Sequence, residues 1–254
     1  MSWEVMLAGL VIGTMIGLTG MGGGSLITPA MIFLFRVQPL VAVGTDLVLG
    51  ALTKTVGAVA HYRLGNVNLK ITKVLLTGSI PGALLGLTVL WILPSLHFVA
   101  ADTFIKHALG VVLLLVSIGM FFPSAWTIAE RFKSQSEMPR HVWAFRGVSF
   151  GVGFVVSITS VGSGSLLVPF LLASITLPLT RIIGTDVLHG AILTLVAGAA
   201  HLASGNVNAP LLLNLLAGSV PGVVLGSKLA VAFPKRGVEI VLGVVLAVSG
   251  IKLL

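Results

Sequence analysis

The chain has 254 residues, of which 56 % are hydrophobic and 9 % are charged, and its mean hydropathy is +1.12. A soluble domain carries about 25 % charged residues, so the composition excludes that class and favours a polytopic helical membrane protein. Lysine and arginine number 15 against 7 acidic residues, but they stand in short loops between apolar runs, where they set topology rather than bind nucleic acid. The absence of cysteine excludes disulfides and thiolate metal sites.

The first two apolar runs, 3–19 and 23–35, are shorter than the ~20 residues that a full crossing needs. Gly20-Met21-Gly22-Gly23-Gly24 separates them, and glycine-rich backbone at membrane depth must face protein or a wet cavity. We therefore expect a helical hairpin whose tip lies near the bilayer midplane. Further helices are predicted at about 43–62, 71–92, 103–122, 144–159, 164–178, 183–203, 211–232 and 238–254.

The second half of the chain repeats the first. Residues 19–87 and 159–227 align without a gap, 140 residues apart, and 26 of 69 positions are identical, mostly glycine, proline and polar residues. We predict an all-α membrane protein with a first repeat at 1–122, a cytoplasmic linker at 123–142 and a second repeat at 143–254. Each repeat would be a glycine-broken hairpin plus three transmembrane helices.

Charge predicts that the two repeats are inverted. A hairpin plus three crossings leaves the chain on the opposite side of the membrane. The first repeat's loop with Arg63, Lys70 and Lys73 is basic, whereas its counterpart at 203–210 is uncharged. Basic loops stay in the cytoplasm, so the two loops are expected on opposite sides, with both termini outside. The less economical alternative is a pair of parallel repeats, with the basic and the neutral loop on the same side.

The two glycine breaks are candidate binding elements for an anion. Helix beginnings offer free amides and a positive dipole end, and two of them meeting from opposite faces would hold an anion without a side-chain charge. The serine in each break is placed to cap the following helix. The alternative is a hairpin shaped only for close packing. The residues concerned are Gly22, Gly23, Gly24 and Ser25, and Gly162, Ser163, Gly164 and Ser165.

A second repeated motif is Gly-Thr-Asp, at Gly44 to Asp46 and Gly184 to Asp186. Each is expected to precede a helix, where Thr45 or Thr185, or the aspartate, would be an ordinary N-cap. Acidic residues within or bordering a membrane span are costly and often functional. Proton coupling or gating by Asp46 and Asp186 is therefore the competing interpretation.

Lys54 and His189 break the repeat, since Thr194 and Leu49 are their counterparts. Lys54 stands about 12 Å along its helix from Asp46, which is near the centre of a ~30 Å hydrocarbon core. It must contact substrate or a cavity, pair with an acid such as Asp186, or snorkel. His189 follows Asp186 by one turn, a spacing that allows the two side chains to hydrogen-bond.

Two further repeated features remain. His61 and His201 end repeated helices and are expected at the membrane interface, with a proton-coupling role as the alternative because histidine titrates near neutral pH. Glycines four apart predict close helix packing, within the chain or across a homodimer. They are Gly9, Gly13 and Gly17, Gly78, Gly82 and Gly86, and Gly218, Gly222 and Gly226.

No catalytic constellation or metal-ligand motif is present, so we expect neither an enzyme nor a bound cofactor. The combination of Gly20-Met21-Gly22-Gly23-Gly24-Ser25, Ala42-Val43-Gly44-Thr45-Asp46, His61 to Val67 and Gly78 to Gly86 resembles the TauE/SafE sulfite-exporter family. The resemblance covers nearly the whole chain, with Ser163 in place of the glycine at position 23. It implies a multi-pass transporter of small anions in a bacterial or archaeal cell membrane.

The sequence therefore predicts a secondary transporter of a small organic or inorganic anion, most simply an exporter of sulfite or an organosulfonate by alternating access. The expected partners are the anion (sulfite, sulfonate or carboxylate), the lipid bilayer, a coupled proton and a homodimer mate, and not nucleic acid. Two alternatives stay open: a passive anion channel, and a non-transporting membrane subunit that binds a protein partner.

Overall fold

The computed structural model describes residues 2–19, 24–92, 101–121, 141–229 and 235–254, and all regular structure in them is helical. Gly22, Gly23 and nearly all of the predicted linker at 123–142 lie outside the described residues. The helices are α1 (Trp3–Thr19), α2 (Gly24–Phe35), α3 (Pro39–Arg63), α4 (Leu69–Ile92), α5 (Ala101–Phe121), α6 (Val142–Thr159), α7 (Leu167–Ser174), α8 (Leu179–Ala203), α9 (Ala209–Leu229) and α10 (Lys235–Leu253).

The helices confirm the all-α membrane fold predicted from the apolar runs. Six of those described, α3, α4, α5, α6, α8 and α9, are long and apolar enough to cross a bilayer. α1 and α2 are shorter apolar helices. Large apolar side chains remain exposed along the long helices, as expected where lipid replaces water. The chain is a multi-pass membrane protein.

One expectation about helix boundaries is wrong. Both Gly-Thr-Asp motifs lie inside helices, because α3 begins at Pro39 and α8 at Leu179, several residues before each motif. Gln38 and Pro178 occupy the N-cap positions, and neither forms a side-chain cap. Thr45 and Asp46, like Thr185 and Asp186, are therefore buried mid-helix residues that need another explanation.

The major helix pairs each join one repeat to the other. α1 packs on α9, α4 on α6, α3 on α8, and α5 on α10. The glycines four apart form these contacts: a Cβ at Gly9 would lie 3.0 Å from the Leu215 carbonyl oxygen, and one at Gly222 would lie 3.0 Å from the Thr14 amide. The glycine faces are thus used for packing within the chain, which is one of the two outcomes that their spacing predicts.

The contacts also give the relative directions of the helices. Gly9 lies beside Gly218 and Gly17 beside Gly226, so α1 and α9 run parallel. In contrast, Gly57 lies beside Val187 whereas Gly198 lies beside Leu47, so α3 and α8 run antiparallel. The equivalent central helices of the two repeats therefore point in opposite directions.

Candidate functional site

The second glycine break is a tight irregular loop. α6 ends at Thr159, and Ser160 follows with φ 62° in the left-handed region, a conformation that costs little only for glycine. Gly162 (φ 133°) and Gly164 (φ 79°) continue the irregular backbone before α7 begins at Leu167. The three residues reverse the chain inside the protein, where its polar groups need partners.

The loop does not present a free helix beginning, and the capping expectation for it is wrong. Leu166, not Ser165, occupies the N-cap of α7, and no side chain caps that helix. The Leu166 amide donates to the Gly162 carbonyl at 3.0 Å, and the Gly164 amide donates to Asp186 Oδ1 at 3.2 Å. The amides of Gly164 and Leu166 are therefore already paired within the protein.

The two breaks meet. Gly24 and Ser25 begin α2 directly after the first break, and a Cβ on Gly24 would lie 2.9 Å from the Ser160 carbonyl carbon and 3.2 Å from Ser160 Oγ. Only glycine at position 24 permits this approach. Residues 140 positions apart in the alignment thus form one junction inside the protein.

A small polar cavity of about 10 Å³, roughly the space of one water molecule, lies at this junction, and Lys54 of α3 faces it. Its ammonium Nζ donates a hydrogen bond to Ser163 Oγ. A Cβ on Gly190 of α8 would lie 3.3 Å from Nζ, so the glycine leaves room for the lysine head group. Among the described residues, the cavity lining consists of Gly24, Ser25, Lys54, Ser160, Gly162, Ser163 and Ser165.

Asp46 lies on the same helix as Lys54 and is 2 % exposed. Thr28 Oγ1 donates to Asp46 Oδ2 at 2.6 Å, and the Ser160 side chain also hydrogen-bonds the carboxylate. Together with Asp186, these contacts attach α3 and α8 to the loop at 160–164 through three charged side chains. No ion pair forms between them within the described part of the chain.

His189 forms a hydrogen bond with Ser79 and not with Asp186. Its Nε2 is 2.8 Å from Ser79 Oγ, which connects α8 to α4 in a fully buried contact. Its Nδ1 is buried and has no hydrogen-bond partner among the described residues. His189 and Asp186 are one helical turn apart, but His189 bonds to α4 whereas Asp186 bonds to the loop at 160–164.

Thr45 and Thr185 do not line the cavity. Thr185 Oγ1 accepts the Asn68 amide at 2.9 Å, and Thr45 Oγ1 accepts the Asn208 amide at 3.0 Å. Each hydroxyl thus holds the turn of the opposite repeat. The two hydrogen bonds are therefore reciprocal between equivalent positions of the two repeats.

His61 and His201 also lie at these turns rather than at the cavity. His201 is 2 % exposed, and its Nε2 is 3.1 Å from the Ser157 carbonyl oxygen. His61 Nδ1 lies 3.1 Å from where a Cβ on Gly184 would stand. Both histidines fill space beside the Gly-Thr-Asp glycines of the opposite repeat.

Sequence reasoning did not single out Ser160, Thr28 or Ser79. Ser79 is repeated as Ser219, which is a usable indication, because polar residues at the same position of two apolar helices are costly. Thr28 and Ser160 have Val168 and Gly20 as counterparts, so the repeat gives no indication of them.

Comparison with known proteins places the chain among membrane transporters. It is 38 % identical to the probable membrane transporter protein YjnA of Bacillus subtilis (strain 168), with all of both chains covered. It is 26 % identical to YunE and 25 % identical to YdhB, two probable membrane transporter proteins of the same organism, and covers 90 % and 99 % of them.

No solved structure matches the chain. The family model for the sulfite exporter TauE/SafE matches residues 5–253, which is nearly the entire sequence. This membrane transporter therefore belongs to the TauE/SafE family.

Proposed function

We propose that the protein is a secondary transporter of small anions, with sulfite or an organosulfonate as the substrate, and that the cavity at the junction of the two breaks is the binding site. The proposal rests chiefly on the position of the Lys54 ammonium. It lies in a transmembrane helix, faces a polar cavity and has no ion-pair partner among the described residues.

A lysine within a membrane span is costly unless water, a carboxylate or an anionic ligand satisfies it. Its ammonium carries three donors, and Ser163 accepts one of them. An anion in the cavity would accept the others. The bound anion would thereby hydrogen-bond directly to an ammonium that Asp186 and Asp46 influence only from beyond salt-bridge distance.

The remaining lining suits an oxyanion. Ser25, Ser160, Ser163 and Ser165 place four hydroxyl groups around the cavity, and each hydroxyl can donate to an acceptor oxygen. The cavity holds about 10 Å³ in this conformation, so an anion would enter it only after the two repeats move apart. A sulfite or sulfonate group, with three oxygens on one sulfur, matches such a set of convergent donors.

Alternating access follows from the proposed inversion of the repeats. The antiparallel directions of the equivalent helices α3 and α8 support this inversion. In transporters of this type the substrate site lies near the midplane, between repeats that rock against each other. Lys54 and the loop at 160–164 belong to different repeats, so such a movement would open the site.

The buried ionisable residues are the candidates for coupling or gating. Asp46 and Asp186 are held against the loop at 160–164, and His189 lies one turn from Asp186. His61 and His201 are weaker candidates, because both lie at the turns and not at the cavity.

The experiment uses the purified protein with sulfite, sulfoacetate, methanesulfonate, lactate and sulfate. We expect sulfite or a sulfonate to raise the melting temperature, and the same anion to exchange across proteoliposomes with saturation and counterflow. Non-saturating flux without counterflow would identify a channel. No flux and no stabilisation by any of these anions would contradict the proposal and favour a non-transporting subunit.

A further inference from the structure

We infer that each monovalent anion binds together with one proton, and that Asp186 receives the proton. The inference rests on the proposed function, because it concerns the charge balance of the same cavity. It follows from the number of charged side chains at the junction and from the unequal hydrogen bonding of the two aspartates.

Three charged side chains converge on the loop at 160–164. Lys54 bonds to Ser163, Asp186 bonds to the Gly164 amide, and Asp46 bonds to Ser160. One cation therefore faces two carboxylates, which gives the empty site a net charge of −1 when both carboxylates are ionised. Asp46 and Asp186 are both buried, so water compensates little of this charge.

A monovalent anion beside Lys54 would change the net charge of the site from −1 to −2. Concentrating like charges within a membrane is expensive, because no bulk water screens them. Protonation of one carboxylate restores the charge of the empty site. The loaded state then differs from the empty state by one anion and one proton, which together are neutral. The site therefore carries the same net charge whether it crosses the membrane loaded or empty.

The other titratable groups near these helices do not supply a second cation to the cavity. α2 and α7 contain none. His189 bonds to Ser79, His201 lies beside Gly44, and Asp102 accepts the Leu40 amide near the start of α3. The remaining basic groups of α3, α4, α6, α8 and α9 stand in the first two turns or the last turn of their helices: His61, Arg63, Lys70, Lys73, Arg146, Arg181 and Lys228. On α5, Lys106 and His107 are exposed.

Hydrogen bonding distinguishes the two acids. Asp46 accepts two hydroxyl donors, from Thr28 at 2.6 Å and from Ser160, and these favour its ionised form. Among the described residues, the hydrogen bond of Asp186 comes from the Gly164 amide at 3.2 Å. Asp186 is also the more exposed of the two, at 7 % against 2 %, so water reaches it more readily as a source of protons. We therefore assign the proton to Asp186, which has fewer donor hydrogen bonds to lose when it is protonated.

The test uses methanesulfonate, a permanently monovalent anion that cannot itself carry a proton. Proteoliposomes with pyranine inside, and with the membrane potential held at zero by potassium and valinomycin, receive an inward methanesulfonate gradient. We expect the lumen to acidify in step with anion entry, at one proton per anion. Methanesulfonate entry without acidification would overturn the inference and leave the proposed function standing, whereas entry of neither methanesulfonate nor sulfite would contradict the proposed function.

The variant Asp186→Asn should lose the acidification, and Asp102→Asn should keep it. Asp102 is a suitable control because an asparagine oxygen can still accept the Leu40 amide. Acidification that is unchanged in Asp186→Asn would exclude Asp186 as the proton acceptor.

A measurement on the unmodified protein does not depend on the folding of any variant. Calorimetric binding of methanesulfonate in buffers of different ionisation enthalpy reports the protons taken up per anion. We expect a value near one, and a value of zero would contradict the inference.

Discussion

Gly24 touches the backbone of Ser160, although the two residues belong to different repeats. A methyl group on Gly24 would lie 2.9 Å from the Ser160 carbonyl carbon, closer than real side chains approach backbone. The contact brings the two glycine breaks to one point beside Lys54. The junction therefore depends on the absence of a side chain at a single position.

Gly24→Ala should separate the breaks and lower stability by about 1–3 kcal/mol, since overpacking of a close contact costs that much. Thermal unfolding in detergent measures the change. Gly151→Ala is the matched control, because a Cβ there meets no atom within 4 Å. Equal melting temperatures for the two variants would show that the breaks do not need their close contact.

Thr28→Val tests the buried hydroxyl that holds Asp46. Valine keeps the shape of threonine but removes the donor at 2.6 Å from Oδ2. Loss of a hydrogen bond to a charged group should cost about 1.5–3 kcal/mol. Thr53→Val removes a hydroxyl that bonds only to carbonyl oxygens of its own helix, so the same unfolding measurement should change by less. Similar losses in both variants would argue against a special role for the Thr28–Asp46 bond.

Thr185→Val separates a structural role from a ligand role at the Gly-Thr-Asp motif. The variant leaves the Asn68 amide without its acceptor, and Asn68 is 7 % exposed, so we expect a loss of about 1–3 kcal/mol. The stabilisation produced by a bound anion should remain. The same outcome is expected for Thr45→Val, which removes the acceptor of the Asn208 amide. If the variants keep full stability but lose anion binding, the threonine hydroxyls contact the anion instead.

The proposed inversion can be measured directly because the natural chain has no cysteine. Leu64 and Ser204 occupy the equivalent C-cap positions of α3 and α8, and both are exposed. We expect an impermeant maleimide to label Leu64→Cys only from the cytoplasmic side and Ser204→Cys only from the outside. Labelling of both from the same side would exclude inverted repeats.

The sequence predicts the helices well because lipid imposes a simple rule: apolar runs of sufficient length must be helical. It also predicts the junction region, since Gly24, Ser25, Lys54, Gly162, Ser163 and Ser165 all lie at the cavity. It does not predict the hydrogen bonds. Thr45 and Thr185 bond to turns more than 100 residues away, and His189 bonds to Ser79 instead of its neighbour Asp186.

These partners come from helix packing across the repeats, which a local pattern cannot give. The predicted starts of α3 and α8 were wrong for a related reason. Threonine and aspartate favour N-cap positions when considered alone. In this protein the helices extend several residues further, and contacts with the opposite repeat satisfy the polar side chains instead.

The most direct test of the account is counterflow of sulfite in proteoliposomes containing the natural protein, Lys54→Thr or Lys73→Thr. Threonine is the residue at the equivalent position of the second repeat, Thr194, and Lys73 is an exposed lysine in the first turns of α4. We predict saturable counterflow that falls at least about tenfold in Lys54→Thr, which corresponds to about 1.4 kcal/mol of lost binding, and that is unchanged in Lys73→Thr. Counterflow that is equal in all three proteins would contradict the claim that Lys54 holds the anion.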